Sequence, residues 1–447
     1  MTIENNAENG IEISGLVENE NGNILIANSK GDLNITETGK VELNKNNTSL
    51  TNDITVSNTG TSKKQTILGW IKNFGKGNTK LENKGTDVTE IAGTVENTDG
   101  TLEIAKSGTN GILVSGNVAN KKGNTNITNE SQNGGIKLAT SGTIKNDDGN
   151  INISNTGTQG IIVEGTINTV NKDIGITNKN SDLIIGEYDS GNDNYIKADN
   201  GNVIINQING NILNGITDID SSANQNHDRG NVDKSYKTLI SSSGNLTLDV
   251  KGGNIGSDSH SLANKESGFG INASTRDYTE SLNVNVKGKI KAKAENNGNA
   301  LINIRAKESD LNIDGINSDG NVMLTAADWK QADENPARTD SEYLAGYSIN
   351  NSSTDNTTPN ITGRNISLIS SNNVGDKNKS LTYNQTENGS ISVLAENDVN
   401  ISGKGNQDNI WQLISKNGNI NLDLNGDASI REITAAKNLK LISKGHN

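Results

Sequence analysis

The sequence predicts an all-β protein that winds into a right-handed parallel β-helix, a solenoid with a few extra-helical loops. One observation is a repeat within residues 111–178, where three successive phrases each begin with glycine. Its period of about 23–26 residues lies in the range that indicates solenoids or propellers. A second observation is spacing, because apolar residues such as Ile151 and Ile153 stand two apart, as in strands. Glycine and asparagine corners separate three such strands in each period, which predicts one rung of a β-helix.

The composition agrees with a chain made of thin strands and many corners. Only 30% of the 447 residues are hydrophobic and 3% are aromatic, with a mean hydropathy of −0.63. So low a content of hydrophobic and aromatic residues would ordinarily indicate disorder. The alternation argues against disorder, because a β-helix buries every second residue and needs few large side chains. The chain has 49 glycines and two prolines, as expected for many tight corners and few breaks in the strand ladders.

Charge and residue types exclude several functional classes. The formal net charge is −13 with scattered lysines, so we expect no nucleic-acid partner. The absence of cysteine excludes disulfides and thiol chemistry. No apolar run reaches the roughly 18 residues of a membrane helix, so we expect no transmembrane segment. The first residues lack signal-peptide features, and an exported protein would then be an internal piece of a longer chain.

The repeat pattern divides the chain into rungs and interruptions. The predicted order is β-helix rungs over 1–60, an insertion over 61–85 that could hold a short helix, regular rungs over 86–215, a loop over 216–238, rungs of a second repeat type over 239–327, an extruded loop over 328–362, and rungs over 363–447. Recognition is expected on the interruptions, because loops vary a surface that rungs only repeat.

Two interruptions carry the candidate binding residues. Within 61–77, apolar residues and lysines stand at helical spacing, with Trp70 and Phe74 among them. One interpretation is a basic amphipathic helix that meets a membrane or a partner, and the other is a short cap over a gap in the coil. The loop 328–362 holds both prolines and three aromatic residues, which are the remaining candidates: Trp329, Tyr343 and Tyr347.

The rungs of the form GxIxxxGNIxIxN and the phrase over 254–326 resemble the shaft repeats of filamentous haemagglutinin-like adhesins. These are the large exoproteins of bacterial two-partner secretion. The resemblance covers nearly the whole chain as a pattern and is most specific within 244–326. It implies a right-handed β-helix exported through an outer-membrane transporter. It also implies display at the cell surface or release as a secreted protein.

No catalytic, cofactor or metal residues are predicted. Parallel β-helices also include polysaccharide lyases and galacturonases, and Asp99 and Asp147–Asp148 match acidic positions of such enzymes by letter. Both fall at polar turns before a glycine, where aspartate is favoured for turn geometry alone. The three histidines lie in separate predicted loops, which argues against a metal triad.

The sequence therefore predicts a non-enzymatic shaft segment of a secreted bacterial filamentous adhesin, a monomeric rod that serves virulence through cell adhesion. The expected partners are a host-cell surface protein, a glycan or another bacterium, together with the outer-membrane transporter during export. Two alternatives stay open. One is a carbohydrate-active β-helix enzyme, and the other is the carrier rod of a two-partner-secretion toxin.

Overall fold

The structure is a computed structural model that describes residues 1–60, 63–186, 194–215, 237–257, 281–326, 346–386 and 388–444. Within these ranges the chain forms 44 strands and no helix, and every strand pairing between them is parallel. The predicted all-β parallel solenoid is thereby confirmed. The chain divides into two compact units, residues 1–210 and 211–447.

The first unit contains 25 strands, which are taken in chain order. They are β1 (Thr2–Asn5), β2 (Ile11–Ile13), β3 (Leu16–Asn19), β4 (Ile24–Asn28), β5 (Leu33–Ile35), β6 (Lys40–Leu43), β7 (Ile54–Asn58), β8 (Gln65–Ile67), β9 (Trp70–Asn73), β10 (Thr79–Asn83), β11 (Thr89–Ile91), β12 (Thr94–Asn97), β13 (Leu102–Lys106), β14 (Ile112–Val114), β15 (Asn117–Lys122), β16 (Thr125–Asn129), β17 (Ile136–Leu138), β18 (Thr143–Asp148), β19 (Ile151–Asn155), β20 (Ile161–Val163), β21 (Thr166–Thr169), β22 (Ile174–Lys179), β23 (Leu183–Ile185), β24 (Ile196–Ala198) and β25 (Val203–Ile208).

Every third strand of this unit belongs to the same sheet. The first sheet begins with β1, β4 and β7, the second with β2, β5 and β8, and the third with β3, β6 and β9. Three consecutive strands therefore make one rung, and each strand pairs with its counterpart in the neighbouring rungs. Thr79 pairs with Leu102, and Leu102 with Thr125, so successive rungs are offset by 23 residues at these positions.

The core of the first unit is a set of stacked side-chain columns. In each strand the alternate residues that face inward are buried, as in Ile151, Ile153 and Asn155 of β19. In-register pairing places Ile127 next to Ile153 and Ile153 next to Ile176, so like side chains meet between rungs. Burial contributes about 25 cal/mol for each Å² of apolar surface removed from water. Each rung thus depends on its two neighbours for most of its stability.

The second unit contains 19 strands in the described residues. They are β26 (Ile212–Asn214), β27 (Ile240–Ser242), β28 (Leu246–Lys251), β29 (Leu282–Val286), β30 (Ile290–Glu295), β31 (Leu301–Ala306), β32 (Leu311–Ser318), β33 (Asn321–Ala326), β34 (Ile349–Asn351), β35 (Ile361–Gly363), β36 (Ile366–Ser370), β37 (Leu381–Gln385), β38 (Ile391–Ala395), β39 (Val399–Gly403), β40 (Gln407–Ser415), β41 (Ile420–Leu424), β42 (Asp427–Ile430), β43 (Ile433–Ala435) and β44 (Leu439–Ser443).

Two long ladders of parallel pairs run through this unit. One joins β28, β30, β32, β35, β37, β39, β41 and β44 in succession, and the other joins β27, β29, β31, β33, β36, β38 and β40. Isolated parallel β-bridges, such as the one between Val374 and Val399, also connect neighbouring rungs outside these two ladders. The register shifts between β38 and β40, where Trp411 is the extra residue of a bulge.

The predicted insertion with a short helix over 61–85 is wrong. Residues 65–83 form β8, β9 and β10, which complete an ordinary rung. Ile67 and Ile71 are fully buried, but they belong to different strands with a corner at Gly69 between them. Leu68, which a helix would have turned inward beside them, is 38% exposed. A spacing of four residues suits one helix turn and also two strands joined by a tight corner, and the corner occurs here.

The predicted extruded loop over 328–362 is too long at its carboxyl end. Within the described part, Ile349–Asn351 and Ile361–Gly363 are strands that pair with β32. The segment 352–360, which contains Pro359, is the excursion between them. Residues 327–345 lie outside the described residues, as do 216–236 of the predicted loop over 216–238.

Candidate functional site

An aromatic and cationic patch lies on the outer face of the third sheet in the first unit. We define it as Lys40, Trp70, Lys72 and Phe74. Strand alternation buries Ile71 completely and turns Trp70 and Lys72 outward on β9. Lys40 on the preceding rung is the register partner of Trp70, so the two side chains are neighbours on one face.

The patch is held together by contacts between cations and rings. The Nζ atoms of Lys40 and Lys72 lie 5.9 and 5.1 Å from the centroid of the Trp70 ring. Lys72 Nζ also lies 4.7 Å from the centroid of Phe74. These distances fall within the range of roughly 6 Å in which a cation is attracted to an aromatic face. The Glu96 carboxylate of the following rung is 2.5 Å from Lys72 Nζ, so Lys72 is paired while Lys40 is exposed.

The structure does not bring the predicted binding residues into one site. Trp70 and Phe74 belong to the patch in the first unit, whereas Tyr347 belongs to the second unit. The Tyr347 amide donates to Ser371 Oγ at 3.0 Å, and its carbonyl accepts from Ser370 Oγ at 2.7 Å. Its backbone is therefore fixed against the neighbouring rung. Trp329 and Tyr343 lie outside the described residues.

A shallow groove of about 360 Å³ lies on the outer face of the first sheet, between β13 and β22. Its lining is mostly amide and hydroxyl groups, and Asn152 donates to Asn126 Oδ1 at 2.9 Å across it. Glu103 is the one carboxylate among the lining residues, and it lies 3.2 Å from Lys80 Nζ. Hydrolysis of a glycosidic bond uses a pair of carboxyl groups as acid and base or nucleophile. The lining of this groove contains one carboxyl group and therefore lacks that pair.

A column of buried asparagines runs along the inner face of the first sheet. Asn129, Asn155 and Asn178 are fully buried, and each donates its side-chain amide to the next member of the column. The ladder continues to Gln207, which accepts from Asn178 at 2.9 Å. Polar corner groups that would otherwise be buried without partners are satisfied in this way. The frequent asparagines thus have a structural cause.

Lys106 interrupts the asparagine column. The register places it between Asn83 and Asn129, and its side chain is 1% exposed. Its ammonium donates to the carbonyl oxygen of Gly85 in the preceding rung. Burial lowers the pKa of Lys106 to about 8, while the charge of Asp87 acts in the opposite direction. An ionisable group therefore occupies the inside of the coil at one rung.

A second buried ionisable group lies in the second unit. Asp408 on β40 is fully buried, and neither carboxylate oxygen has a hydrogen-bond partner of good geometry. It faces Tyr383 of β37, whose buried hydroxyl donates towards the Asp408 carboxylate. Burial raises the pKa of Asp408 to about 6, and the nearby Tyr383 hydroxyl opposes this rise. Burial, with the charge of Asp408, also raises the pKa of Tyr383.

Sequence reasoning missed both buried ionisable groups, although each had a signal. Aligning the repeats by strand places Lys106 at the position of Asn129, so a lysine stands where the pattern requires asparagine. Asp408 stands two residues before the buried Ile410, which is an inward position by alternation. The preceding Gly403 and Gly405 also indicate a corner with space for a side chain.

The described residues show no further sign of a chemical centre. Within them, no group of three or more histidine, cysteine or acidic side chains is placed to hold a metal ion. None of their elements is a helix long and apolar enough to cross a membrane.

The fold and its faces define the class of this molecule as a parallel β-helix repeat protein. The chain matches no family model, no curated protein and no solved structure. Its relation to filamentous haemagglutinin-like adhesins therefore remains a resemblance of repeats.

Proposed function

We propose that this chain is a shaft segment of a secreted bacterial filamentous adhesin, which holds a binding surface away from the cell. The observation that carries the proposal is the in-register stacking of similar rungs, with apolar and asparagine columns inside and regular strand faces outside. Such a stack has no need of a catalytic centre to explain the regular spacing of its repeats. The secreted location, the adhesin family and the outer-membrane transporter belong to this proposal and rest on the resemblance of the repeats.

The mechanical part of the proposal follows from how the rungs are joined. Backbone hydrogen bonds connect every pair of neighbouring strands in the first sheet, and they run along the direction in which rungs stack. The column of side-chain amides adds bonds in the same direction, such as the 2.7 Å contact from Asn129 to Asn155. A pulling force along the stack would load many parallel bonds at once. This arrangement suits a structural shaft.

The adhesive part of the proposal rests on the aromatic and cationic patch. An aromatic face can stack on the apolar side of a sugar ring, and lysines beside it can bind an acidic substituent. Lys40 is exposed next to the Trp70 ring, so an anionic group could approach it from solvent. The net charge of −13 opposes polyanions in general, but charges beyond about 8–10 Å are screened at physiological salt. An acidic glycan is thus a ligand of suitable chemistry.

The binding test uses the full chain on a panel of neutral and acidic glycans and on host cells. We expect Trp70→Ala to weaken binding at least tenfold, which corresponds to about 1.4 kcal/mol. Trp411→Ala is the matched control, because it removes a tryptophan that also stacks against a cation but lies outside the patch. Arg431 lies 3.6 Å from the centroid of the Trp411 ring. Equal binding by the wild type and Trp70→Ala would contradict the role of the patch. Trp70→Phe keeps a ring on the face and guards against a simple loss of folding.

A further inference from the structure

We propose that the aromatic and cationic patch is the first position of a longer binding surface, on which a linear, extended oligosaccharide lies parallel to the direction of rung stacking. This inference rests on the glycan-binding role proposed for the patch and adds the shape of the ligand. The chemical class is a chain of pyranose rings with an acidic ring at the patch and neutral rings beyond it. The observation behind it is a column of polar side chains that leads away from Trp70.

The column follows from the register of the third sheet in the first unit. Trp70 pairs with Thr94 on the next rung, and the pairing continues at the same outward position on three further rungs. We define the polar track as the residues at these positions: Thr94, Asn117, Thr143 and Thr166. Each is followed by a buried aliphatic residue, so strand alternation turns the track outward, and all four of its residues are partly exposed.

The spacing of the polar track suits a chain of sugar rings. Neighbouring parallel strands lie about 4.8 Å apart, so the rungs from Trp70 to Thr166 present one outward side chain at each step over about 19 Å. An extended chain of equatorially linked pyranose rings advances by a similar length for each ring. One ring can therefore meet one rung, with the first ring stacked on the Trp70 indole.

One side of the polar track is bordered by residues without side chains. A glycine stands immediately before Trp70 and before each residue of the track: Gly69, Gly93, Gly116, Gly142 and Gly165. These glycines form a column of their own, because they precede residues that are paired in register. A ligand that lies along the polar track thus meets no side-chain wall from this column.

The backbone of the polar track is already paired, so its side chains are what a ligand would meet. The amide nitrogens of Thr94, Asn117 and Thr143 each donate to a glycine carbonyl oxygen of the preceding rung at 2.9 Å. Thr143 Oγ1 also donates to Asn117 Oδ1 at 2.7 Å, which directs the NH₂ group of Asn117 away from Thr143. Hydroxyl and amide groups at a fixed spacing can exchange hydrogen bonds with the hydroxyl groups of neutral sugars.

The charges beside the polar track place the acidic ring at the patch. Lys40 is exposed and lies 5.9 Å from the centroid of the Trp70 ring. Lys72 and Lys145, which stand two residues after Trp70 and Thr143, each form an ion pair with a carboxylate of the protein. Lys40 is therefore the position at which an acidic ring gains a counter-charge, while neutral rings suit the polar track.

The test measures binding of oligosaccharides of increasing length to the full chain by isothermal titration calorimetry. The probes are β-1,4-linked glucose oligomers with one terminal glucuronic acid, as a trimer and a pentamer, together with glucuronic acid alone. We expect the affinity to rise at least tenfold from the single ring to the pentamer. Thr94→Val combined with Thr143→Val removes two hydroxyl groups and keeps β-branched side chains. This variant should bind the pentamer several-fold more weakly and the single ring like the wild type.

Two controls accompany the valine variant. Thr94→Ser combined with Thr143→Ser keeps both hydroxyl groups and should bind the pentamer like the wild type, which separates a lost hydrogen bond from a disturbed strand. Thr128→Val removes an outward threonine hydroxyl from the groove on the first sheet, and it should leave the affinity for every probe unchanged.

The outcomes separate this inference from the proposed function. Trp70→Ala should weaken the binding of every probe. If it does so while the affinity does not rise with chain length, the polar track is refuted and the role of the patch stands. If Trp70→Ala binds every probe like the wild type, both fail. A pentamer advantage that survives in the valine variant or disappears in Thr128→Val would overturn the inference, because the chain would then bind elsewhere. Equal losses in the serine and valine variants would overturn it too, because the hydroxyl groups would not be the binding groups.

Discussion

Asn155→Ala tests whether the buried asparagine column stabilises the stack. Asn155 Nδ2 donates to Asn178 Oδ1 at 2.8 Å, and Asn155 Oδ1 accepts from Asn129 Nδ2 at 2.7 Å. It also contacts the backbone of Gly157 and Gly160 at the corner. Alanine removes both links of the column and leaves two amide groups of other rungs buried without these partners.

The expected loss of stability follows from the unfavourable free energy of leaving buried polar groups without hydrogen-bond partners. Each buried donor or acceptor left without its partner destabilises the fold by about 1–3 kcal/mol. Two such groups predict a loss of about 2–6 kcal/mol in the free energy of unfolding of the surrounding rungs. The loss should be local, because each rung interacts mainly with its neighbours.

Native-state hydrogen exchange of residues 125–178 is the suitable assay, because a repeat array need not unfold in two states. Asn152→Ala is the matched control in the same strand. Asn152 faces outward, is exposed and donates a single bond to Asn126 Oδ1, so we expect a change within about 0.5 kcal/mol. If hydrogen-exchange protection decreased only slightly, and to the same extent, in both variants, the asparagine column would not stabilise the stack as proposed.

Three further predictions concern stability. Lys106→Asn should remove a pH dependence of the free energy of unfolding. Because the pKa of Lys106 is lowered in the folded state, the unfolded chain binds more protons between about pH 8 and 10.5, and the free energy of unfolding of the wild type should rise across that window. Urea titrations at each pH should show a rise of at most about 3 kcal/mol. Gly116→Ala should destabilise by about 1–3 kcal/mol in the same titrations, since its Cβ would lie 2.0 Å from a carbonyl oxygen of the preceding rung. Gly15→Ala, with nothing within 4 Å, should be neutral. Lys137→Ala, which breaks an exposed 2.8 Å pair with Glu164, should change stability by less than about 1 kcal/mol, and a larger loss would contradict the solvent screening assumed here.

The regular rungs were predictable because their signal is local. Alternation of Ile151 and Ile153 specifies a strand through backbone sterics alone, and the glycine and asparagine corners specify where it ends. The repeat period then predicts that successive strands stack. The asparagine column was also within reach, since Asn129, Asn155 and Asn178 recur at one position of the repeat.

The segment around Trp70 was misread because its local pattern is ambiguous. Ile67 and Ile71 are four residues apart, which fits one face of a helix. The neighbouring rungs decide the matter, because β5 and β11 pair with β8 on both sides and require an extended chain there. Trp70 and Phe74 therefore belong to a strand face and its corner.

The sequence by itself determined the class of fold, the length of the rung and the reason for the many asparagines, because these depend on residues close together in the chain. Only the tertiary structure decided which side chains share a surface or an interior space. Lys40 and Trp70 are neighbours through register, and Asn384 and Asp408 converge beside Gly405 from different rungs. The reason is that rung lengths vary, as the partners Ile24–Ile54 and Thr79–Leu102 show, so stacking partners are set by pairing between strands and by the excursions at the corners.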